Sequence, residues 1–430
     1  MNRRVVITGM GLVSPLGIGK EPFWRALEEG RSGIRRLTRF DPEGYTCQIA
    51  GEIADDSYLE FIDPKKRRRM THVTQLAVAS AQMALYDAGL SSDWSNPCSA
   101  GVIIGTSVGS LKDGVEQQSI LLERGANRIN PFVSVGLHIN ALSAEVAIAS
   151  RTQGLAFTIG GGCAASLCAV SVAADMIRNG TLDVCLTGGA ESPLFPLTFA
   201  SLCRTQELSC LNEDPEGASC PFDRAHDGLV VSEGSCILIL EERTSAERRG
   251  ARIYGEILGY ALGCEAHEAF TLEPSGANAA HTLQEAMSRS GVTPEEIDWV
   301  NAHGSSCPNW DRKETRVLKK ALGASAYQVP ISATKSVMGH AFGAAAAFQV
   351  ASTLLAMGRG RIPPTINLVS PDPECDLDYV PRHARSRVVD VSLVNAFAYG
   401  GVNSFMFLQR EDALRQDRHE PKTFSLLGLS

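Results

Sequence analysis

Short apolar segments that stop at glycine alternate with helical segments along most of the chain. The strand-like segments cover residues 100–105, 155–159, 184–189, 253–258, 300–303 and 394–397, and the helical ones cover residues 72–90, 164–179 and 279–290. Strands that are apolar throughout are typical of parallel sheets covered by helices. The alternation therefore predicts an α/β fold with a mainly parallel sheet, and its recurrence in the second half indicates two related halves.

The composition agrees with this fold class and argues against nucleic-acid binding. The chain has 430 residues and is 44% hydrophobic, which is enough for one large core or for two fused domains. Glycine is frequent, with 40 residues, as expected where many strands turn sharply into helices. The net charge of −8 makes broad nucleic-acid binding an improbable function.

The sequence carries no recognisable signal for a membrane, for secretion or for a metal. Its N-terminus reads as a strand that runs into Gly9, without the apolar region and cleavage site of a signal peptide. No uninterrupted apolar run is long enough for a transmembrane helix. The twelve cysteines form no C-x-x-C pair and no cluster with zinc spacing, so we expect no metal and a cytoplasmic, reducing environment.

One cysteine stands in a distinctive setting. Three glycines, residues 160–162, separate the end of a predicted strand from Cys163, and a predicted helix starts at about Ala164. A cysteine next to a helix N-terminus is favoured as thiolate, and the surrounding small residues leave backbone N–H groups accessible to an oxyanion. Cys163 is therefore a candidate nucleophile, although a buried cysteine in a glycine-rich turn fits this segment equally well.

Two histidines follow predicted strands, where open α/β sheets build their sites. His303 lies just after the strand at residues 300–303, and His340 follows a second short strand that begins at residue 331. Asp311 and Glu314 come soon after His303, and we consider two roles for them: orienting Lys335, or forming the solvated start of a helix.

A run of five cations interrupts this acidic sequence. Asp63 and Pro64 can begin a short helix, and the basic residues follow directly as Lys65, Lys66, Arg67, Arg68 and Arg69. Taken alone, such a run is most simply a solvated surface.

Together these motifs resemble those of the β-ketoacyl-acyl carrier protein synthases, in their elongating type II branch. The resemblance extends over about residues 3–410, and His303 follows Cys163 by 140 residues and precedes His340 by 37. Besides these three residues it rests on the segments 3–9, 14–17, 221–224, 227–228, 301–304, 335–336, 339–340, 395–397 and 400–403.

The resemblance implies a thiolase-like fold of two similar halves in five α/β layers, and a role for each site residue. Cys163 would take an acyl group from a carrier thioester, and His303 and His340 would serve the decarboxylation of a malonyl thioester. Lys335 and Glu314 look like the family's supporting polar pair. The backbone N–H groups of Cys163 and Tyr399 look like the oxyanion hole, with Tyr399 at the gate over the cysteine.

The resemblance also implies how substrates arrive. An acyl carrier protein would dock on the basic run at residues 65–69, with Arg128 and Arg204 as further members. The phosphopantetheine arm comes on the carrier, so no cofactor is expected on this chain. Relatives work as homodimers or as heterodimers with a related ketosynthase subunit.

Several positions depart from the family pattern, and all of them surround the expected site. The elbow has Gly161 and Gly162 where threonine and alanine are usual, and the His303 loop has Ser305 and Cys307 where threonines are expected to bind the pantetheine arm. Tyr399 replaces phenylalanine, and Val402 replaces threonine. Val108 falls in the acyl pocket. We therefore hypothesise a specialised polyketide or polyene synthase rather than the housekeeping fatty-acid enzyme.

Three other functions remain as alternatives. A non-elongating partner subunit would lack the nucleophile, a non-decarboxylating acyltransferase would not need both histidines, and a thiolase would carry a second cysteine in the loop at residues 398–403. We expect an N-terminal half over residues 1–252, a C-terminal half over residues 253–410, and a polar tail over residues 411–430.

Overall fold

The computed structural model describes residues 3–269 and 273–411. The strands are β1 Val5–Ser14, β2 Gly17–Ile18, β3 Ile34–Arg36, β4 Ile49–Gly51, β5 Ala100–Thr106, β6 Ala156–Gly160, β7 Val184–Glu191, β8 Gly234–Glu242, β9 Gly255–Cys264, β10 Trp299–Asn301, β11 Ile331–Ser332, β12 Arg361–Ile362, β13 Arg385–Ser386, β14 Val391–Phe397 and β15 Val402–Arg410. Apart from Glu411, the predicted tail lies outside the described residues.

Thirteen α-helices lie between and around these strands in the described residues. They are α1 Lys20–Glu29, α2 Pro64–Arg67, α3 His72–Asp87, α4 Leu111–Arg124, α5 Val133–Gly136, α6 Ala141–Ser150, α7 Ala165–Arg178, α8 Pro196–Thr205, α9 Arg243–Arg248, α10 Ala277–Ser290, α11 Pro308–Leu322, α12 Lys335–Met338 and α13 Ala345–Arg359.

The main sheet repeats one strand order in its two halves. Its order is β11-β10-β14-β15-β9-β1-β8-β7-β5-β6, with β2 paired to β1. The five main strands of each half can be numbered in chain order. Counted from the outer edge of the sheet towards its centre, each half then has the order third, second, fourth, fifth, first. The pairings also match: in each half the two outer pairs are parallel and the two inner pairs are antiparallel. The two halves therefore have the same topology.

The sheet is mixed, so the prediction of a mainly parallel sheet was wrong. The sequence pattern identified apolar strands correctly, but a strand buried on both faces looks the same whether its neighbour is parallel or antiparallel. The first strand of each half pairs with the last strand of the same half, and both pairings are antiparallel. Two residue pairs between β1 and β9 join the halves.

Helices cover the sheet on both outer faces and fill the space between the halves. Helix α3 packs on β1 and β8, whereas α10 packs on β9 and β15. Between them, α7 and α13 pack against each other and against strands of both halves. The result is the expected order of five layers, with most of the buried apolar side chains around the central helix pair.

This central pair brings equivalent segments of the two halves together. Helix α7 follows β6, the third main strand of its half, and α13 follows β11, the third main strand of the other half. Ser166 in α7 accepts a hydrogen bond from the backbone N–H of Ala347 in α13 at 3.0 Å. The segments that lead into the two helices, which carry Cys163 and His340, therefore meet.

Among the described residues, no helix combines the length and the apolar character needed to cross a membrane. In the same part of the chain, no group of histidine, cysteine and carboxylate side chains is arranged to hold a metal ion.

Candidate active site

The predicted nucleophile lies in a sharp turn between β6 and α7. A 3-10 turn over Gly162–Ala164 separates the strand from the helix, and Cys163 is 6% exposed at its centre. Gly162 has a left-handed backbone, with φ of +55°, and a Cβ atom there would lie 3.0 Å from the Cβ of Ala398. The glycine that departs from the family pattern thus occupies a position where a side chain would be strained.

The thiol of Cys163 is protonated in this state, contrary to the expectation drawn from the helix N-terminus. Burial raises its pKa to about 12, and the positive charge of Lys335 only partly opposes that shift. Loss of hydration disfavours the charged sulfur more than the nearby helix start favours it. Burial therefore favours the protonated thiol in this conformation.

His303 is positioned through its backbone and through its ring. Its backbone N–H donates to Glu314 at 2.8 Å, and its Nδ1 atom accepts from the backbone N–H of Phe397 at 3.4 Å. A ring nitrogen that accepts a hydrogen bond carries no proton, so in the neutral ring the proton is on Nε2. His303 consequently has an N–H group to donate at its other edge.

His340 meets His303 at an almost perpendicular angle. The two ring centres are 5.3 Å apart, with 83° between the ring planes. The backbone of His340 is fixed by two hydrogen bonds, one to the Val230 carbonyl at 2.8 Å and one from the Ser232 N–H at 3.0 Å. Burial, followed by the charge of Lys335, holds the pKa of both histidines well below the usual range. Both rings are therefore neutral donors near pH 7.

Glu314 and Lys335 both bind the backbone of His303, but they are not hydrogen-bonded to each other as an ion pair. Glu314 accepts hydrogen bonds from the N–H groups of His303 and Gly304, both at 2.8 Å, and from Asn395 at 2.6 Å. Lys335 donates to the His303 carbonyl at 2.5 Å and to Gln349 at 3.1 Å. Burial lowers the pKa of Lys335, and the charge of Glu314 opposes this shift.

Asp311 orients the His303 loop rather than Lys335. Its carboxylate accepts from the backbone N–H groups of Ser305 and Ser306 and from Phe222, and it contacts His226 at 3.0 Å. Asp311 and Glu314 are both buried, so the alternative of a solvated helix start is also wrong. The spacing placed them correctly on one helix, but it carries no information about which backbone they would face.

Cys163, His303 and His340 line one small pocket. Its walls are Cys163, Leu229, His303, Ser305, Trp310, His340, Phe397 and Tyr399. The cavity measures about 10 Å³, which is about the space of one water molecule. A thiol and two neutral imidazoles thus share a narrow pocket with aromatic walls, and it is too small for an acyl chain in this conformation.

Comparison with known proteins decides the family. The description "Beta-ketoacyl synthase, N-terminal domain" matches residues 2–246, and "Beta-ketoacyl synthase, C-terminal domain" matches residues 254–369. The chain is also similar to a 3-oxoacyl-[acyl-carrier-protein] synthase 2 of Synechocystis sp., at 42% identity over 93% of this chain and 96% of that protein. The chain belongs to the β-ketoacyl synthase family. As a ketosynthase it is an acyltransferase that extends acyl chains by condensation.

Solved structures show the same fold. The ishigamide ketosynthase/chain length factor is similar with a TM-score of 0.89 and 34% identity, over 95% of this chain and 100% of that chain. A type II PKS acyl-carrier protein in complex with its ketosynthase bound to the hexaketide is also similar. Its TM-score is 0.86 and its sequence identity is 32%, over 95% of this chain and 100% of that chain. The fold of this ketosynthase is therefore thiolase-like, as the motifs implied.

The other predicted site residues lie around the ketosynthase pocket with different contacts. Ser305 lines the pocket, whereas the thiol of Cys307 donates a hydrogen bond to the backbone carbonyl of Glu207 at 3.3 Å. Val108 is half-buried in the loop after β5, where its N–H donates to Glu191 at 3.1 Å. Neither Cys307 nor Val108 belongs to the wall of the pocket.

Two residues near the site were missed in the sequence. Buried Glu191 ends β7 and accepts from Ser107 at 2.6 Å, from Val108 and from Gly343 at 3.0 Å, and burial raises its pKa to about 7. It ties the loop after β5 to the segment after His340. Trp310 follows the His303 loop and stands in the pocket wall. The sequence did contain a signal for Glu191, because a carboxylate at the end of an apolar strand is unusual and indicates a special role. The residues around Trp310 contained no such signal.

The basic run forms the predicted short helix on the surface. Asp63 accepts from the N–H of Lys65 at 2.9 Å, as an N-cap does, and Pro64 takes the first position. Lys65, Lys66, Arg68 and Arg69 are exposed. Arg67 is instead bonded to the carbonyls of Leu59 and Ile62.

The two outlying cations have different settings. Arg128 is exposed. Its segment lies beside the basic helix, since the side chain of Asn130 donates a hydrogen bond to the Arg68 carbonyl at 3.5 Å. Arg204, at the end of α8, lines a separate surface cavity with Tyr45 and Asp227. Arg128 therefore lies near the basic helix, whereas Arg204 lines the surface cavity with Tyr45 and Asp227.

Proposed function

We propose that this ketosynthase catalyses a decarboxylative Claisen condensation between an acyl group held on Cys163 and a malonyl-carrier thioester. The observation that carries this proposal is the shared pocket, in which Cys163 lies with two neutral histidines whose ring centres are 5.3 Å apart. The product is a chain two carbons longer, and it belongs to a fatty-acid or polyketide pathway.

The reaction has two stages. In the first, the Cys163 thiol loses its proton and attacks the acyl thioester, and the carrier thiol leaves with a proton. In the second, the malonyl thioester loses carbon dioxide, and the resulting enolate attacks the acyl-cysteine carbonyl. The new C–C bond forms as the C–S bond to Cys163 breaks, and the released thiolate takes up one proton from solvent, which returns the free thiol and leaves a β-ketoacyl thioester on the carrier.

The histidines act at the stage where negative charge collects on the malonyl thioester oxygen. The Nε2–H group of His303 and an N–H group of His340 would donate to that oxygen, and preorganised donors in a dry site stabilise such charge strongly. Neutral rings suit this role because they donate without needing a proton from solvent. Glu314 and Lys335 hold His303 in place through its backbone.

For the tetrahedral stage we propose an oxyanion hole formed by the backbone N–H groups of Cys163 and Tyr399. The close approach of Gly162 to Ala398 supports this pairing, because it places the cysteine turn beside the Tyr399 loop. Tyr399 would also serve as the gate, since the pocket is too small for an acyl chain in this conformation.

The partner in this proposal is an acyl carrier protein, which brings the phosphopantetheine arm, so the chain itself needs no cofactor. The carrier would dock on the basic helix at residues 65–69, with Arg128 beside it and Arg204 as an outlying contact. A cytoplasmic location fits the twelve unpaired cysteines. Val108, Ser305 and Cys307 are proposed neighbours of the bound substrate.

We further propose a specialised polyketide or polyene substrate. One of the two solved relatives described above is a type II PKS ketosynthase bound to a hexaketide. Offering the enzyme saturated and polyketone or polyene acyl carriers of equal length tests this, with the rate of Cys163 acylation as the readout. A clear preference for the unsaturated or oxygenated chains is expected. Equal rates across saturated chains of many lengths would contradict the proposal.

The histidine roles are tested by separating the two stages. In His303→Asn and His340→Asn, acylation of Cys163 from an acyl carrier should persist, while release of carbon dioxide from malonyl carrier should fall by about 100-fold or more. His281→Asn is the control, because His281 is exposed near the start of α10 and does not line the pocket. Carbon dioxide release at the normal rate in both variants would contradict these histidine roles, and no release by wild type would favour the non-decarboxylating acyltransferase.

A further inference from the structure

The loop that follows His303 lacks the side chain expected to meet the pantetheine arm. Cys307 is 3% exposed, and its thiol donates to the backbone carbonyl of Glu207 at 3.3 Å. A thiol is a weak hydrogen-bond donor in any case, and here it is already used. Ser305 is the polar side chain of this loop that lies in the pocket wall, so any further polar contact for the arm comes from a residue outside the loop.

The side chain of Glu207 is next to this loop and faces the pocket wall. The indole N–H of Trp310 interacts with its carboxylate, and the Trp310 ring packs against Tyr399 with 5.6 Å between ring centres and 89° between planes. Trp310 also lies 5.9 Å from the His303 ring. Glu207 is thus one residue removed from the reacting groups.

One oxygen of this carboxylate has no protein partner. The Oε2 atom of Glu207 is buried and accepts no hydrogen bond from the described residues. A buried acceptor left unsatisfied is costly, by about 1–3 kcal/mol, and such atoms are uncommon in folded proteins. A ligand with an N–H or O–H group would satisfy it.

We propose that Glu207 is a binding residue for the pantetheine arm of the carrier substrate. Its free oxygen accepts a hydrogen bond from an amide N–H or hydroxyl of the arm when Trp310 and Tyr399 move to open the pocket. This inference rests on the proposed carrier-dependent condensation and adds a specific contact to it. The pantetheine arm fits because it carries two amide N–H groups and a hydroxyl, and no negative charge near its thioester end.

The chemistry of the two partners is complementary. A carboxylate offers only acceptors when ionised, so it selects a ligand that donates. Hydrogen bonds to a charged group are also stronger than those to a hydroxyl. Glu207 would in this way take over the contact that the threonines of the family pattern make and that Cys307 does not.

The test uses Glu207→Gln, which keeps the size of the side chain beside Trp310 but removes the charge and one acceptor. An acyl-pantetheine thioester is the probe, and the rate of Cys163 acylation is followed by intact mass. Loss of a charged hydrogen bond predicts a fall in kcat/KM of about 10-fold to 100-fold, mainly through KM. Glu213→Gln is the matched control, because Glu213 is exposed in the same connection and should react as wild type.

Iodoacetamide serves as a second probe, because it alkylates Cys163 without an arm. The proposal predicts that Glu207→Gln is alkylated at the wild-type rate while acylation from the thioester is slow. Unchanged thioester acylation would overturn it, as would equal slowing with both probes, which would indicate a disturbed pocket. Faster acylation would show that Glu207 only holds the pocket shut. Failure of wild type to accept the thioester would instead contradict the proposed function.

Discussion

At the scale of single residues, Gly162 shows why the cysteine turn departs from the family pattern. Its φ of +55° lies in the left-handed region, and a Cβ atom would approach Ala398. Gly162→Ala should therefore lower the free energy of unfolding by about 1–2 kcal/mol, as measured by denaturant unfolding. Gly160→Ala is the control, since that position has space and no left-handed backbone. Equal stability of the two variants would show that the turn tolerates a side chain.

The buried thiol leads to a prediction about pH. Because burial raises the pKa of Cys163 to about 12, the neutral thiol predominates throughout the neutral range. The thiolate fraction, and with it the rate of iodoacetamide alkylation, should rise about tenfold per pH unit between pH 7 and pH 9. Rates are read from intact mass, with Cys163→Ala to correct for the other cysteines. A plateau below pH 8 would reveal a thiolate stabilised by the site.

The sequence was a better guide to the proposed reactive residues than to the residues that hold them in position. Cys163, His303 and His340 could be predicted to share a site because all three follow predicted strands, and the structure brings them into one pocket. The roles of Asp311 and Glu191 could not, since each binds backbone N–H groups from distant segments. Trp310 was equally hidden, because only the fold places it against Tyr399.

At the scale of elements, the basic helix α2 has the clearest prediction. Lys65→Glu with Lys66→Glu should slow acylation by an acyl carrier by about tenfold at low salt and less at high salt, because exposed charges mainly steer association. Acylation by acyl-pantetheine should not change. Lys320→Glu, an exposed position on α11, controls for net charge. Equal slowing with both substrates would place the effect in the pocket rather than in docking.

Element prediction succeeded where the pattern was local and failed where it depended on partners. The helix cap at Asp63 and the strand before the cysteine were both confirmed, with bounds shifted by a residue or so. Strand direction was wrong in part, because the partners of β1 and β9 lie far away in the sequence.

At the scale of the whole molecule, the edge strand β6 predicts association. It ends the main sheet, and Phe157 on it is 48% exposed, with Ile139 and Ile148 exposed nearby. An apolar sheet edge of this kind is typical of a covered interface. Phe157→Glu should therefore convert a dimer into monomers in native mass spectrometry, whereas Tyr86→Glu, at an exposed position near the end of α3, should not. A monomeric wild type would point to a heterodimer that needs a second ketosynthase subunit.

The repeated strand order also supports the proposed division into halves at residues 1–252 and 253–410. Equivalent connections after the third strand supply Cys163 from one half and His340 from the other. Sequence alternation alone suggested two related halves. It could not show that their central helices pack together and so create the pocket.

The central claim is that Cys163 carries the growing chain, and intact mass tests it most directly. Wild type and Cys168→Ala are incubated with an acyl carrier and then with malonyl carrier, beside Cys163→Ala. Cys168 is the matched control because it is buried on α7, the helix that follows Cys163. The account predicts one added acyl group on wild type and Cys168→Ala, none on Cys163→Ala, and then a β-ketoacyl carrier two carbons longer. An acyl group on Cys163→Ala, or none on wild type with its subunit partner present, would contradict it.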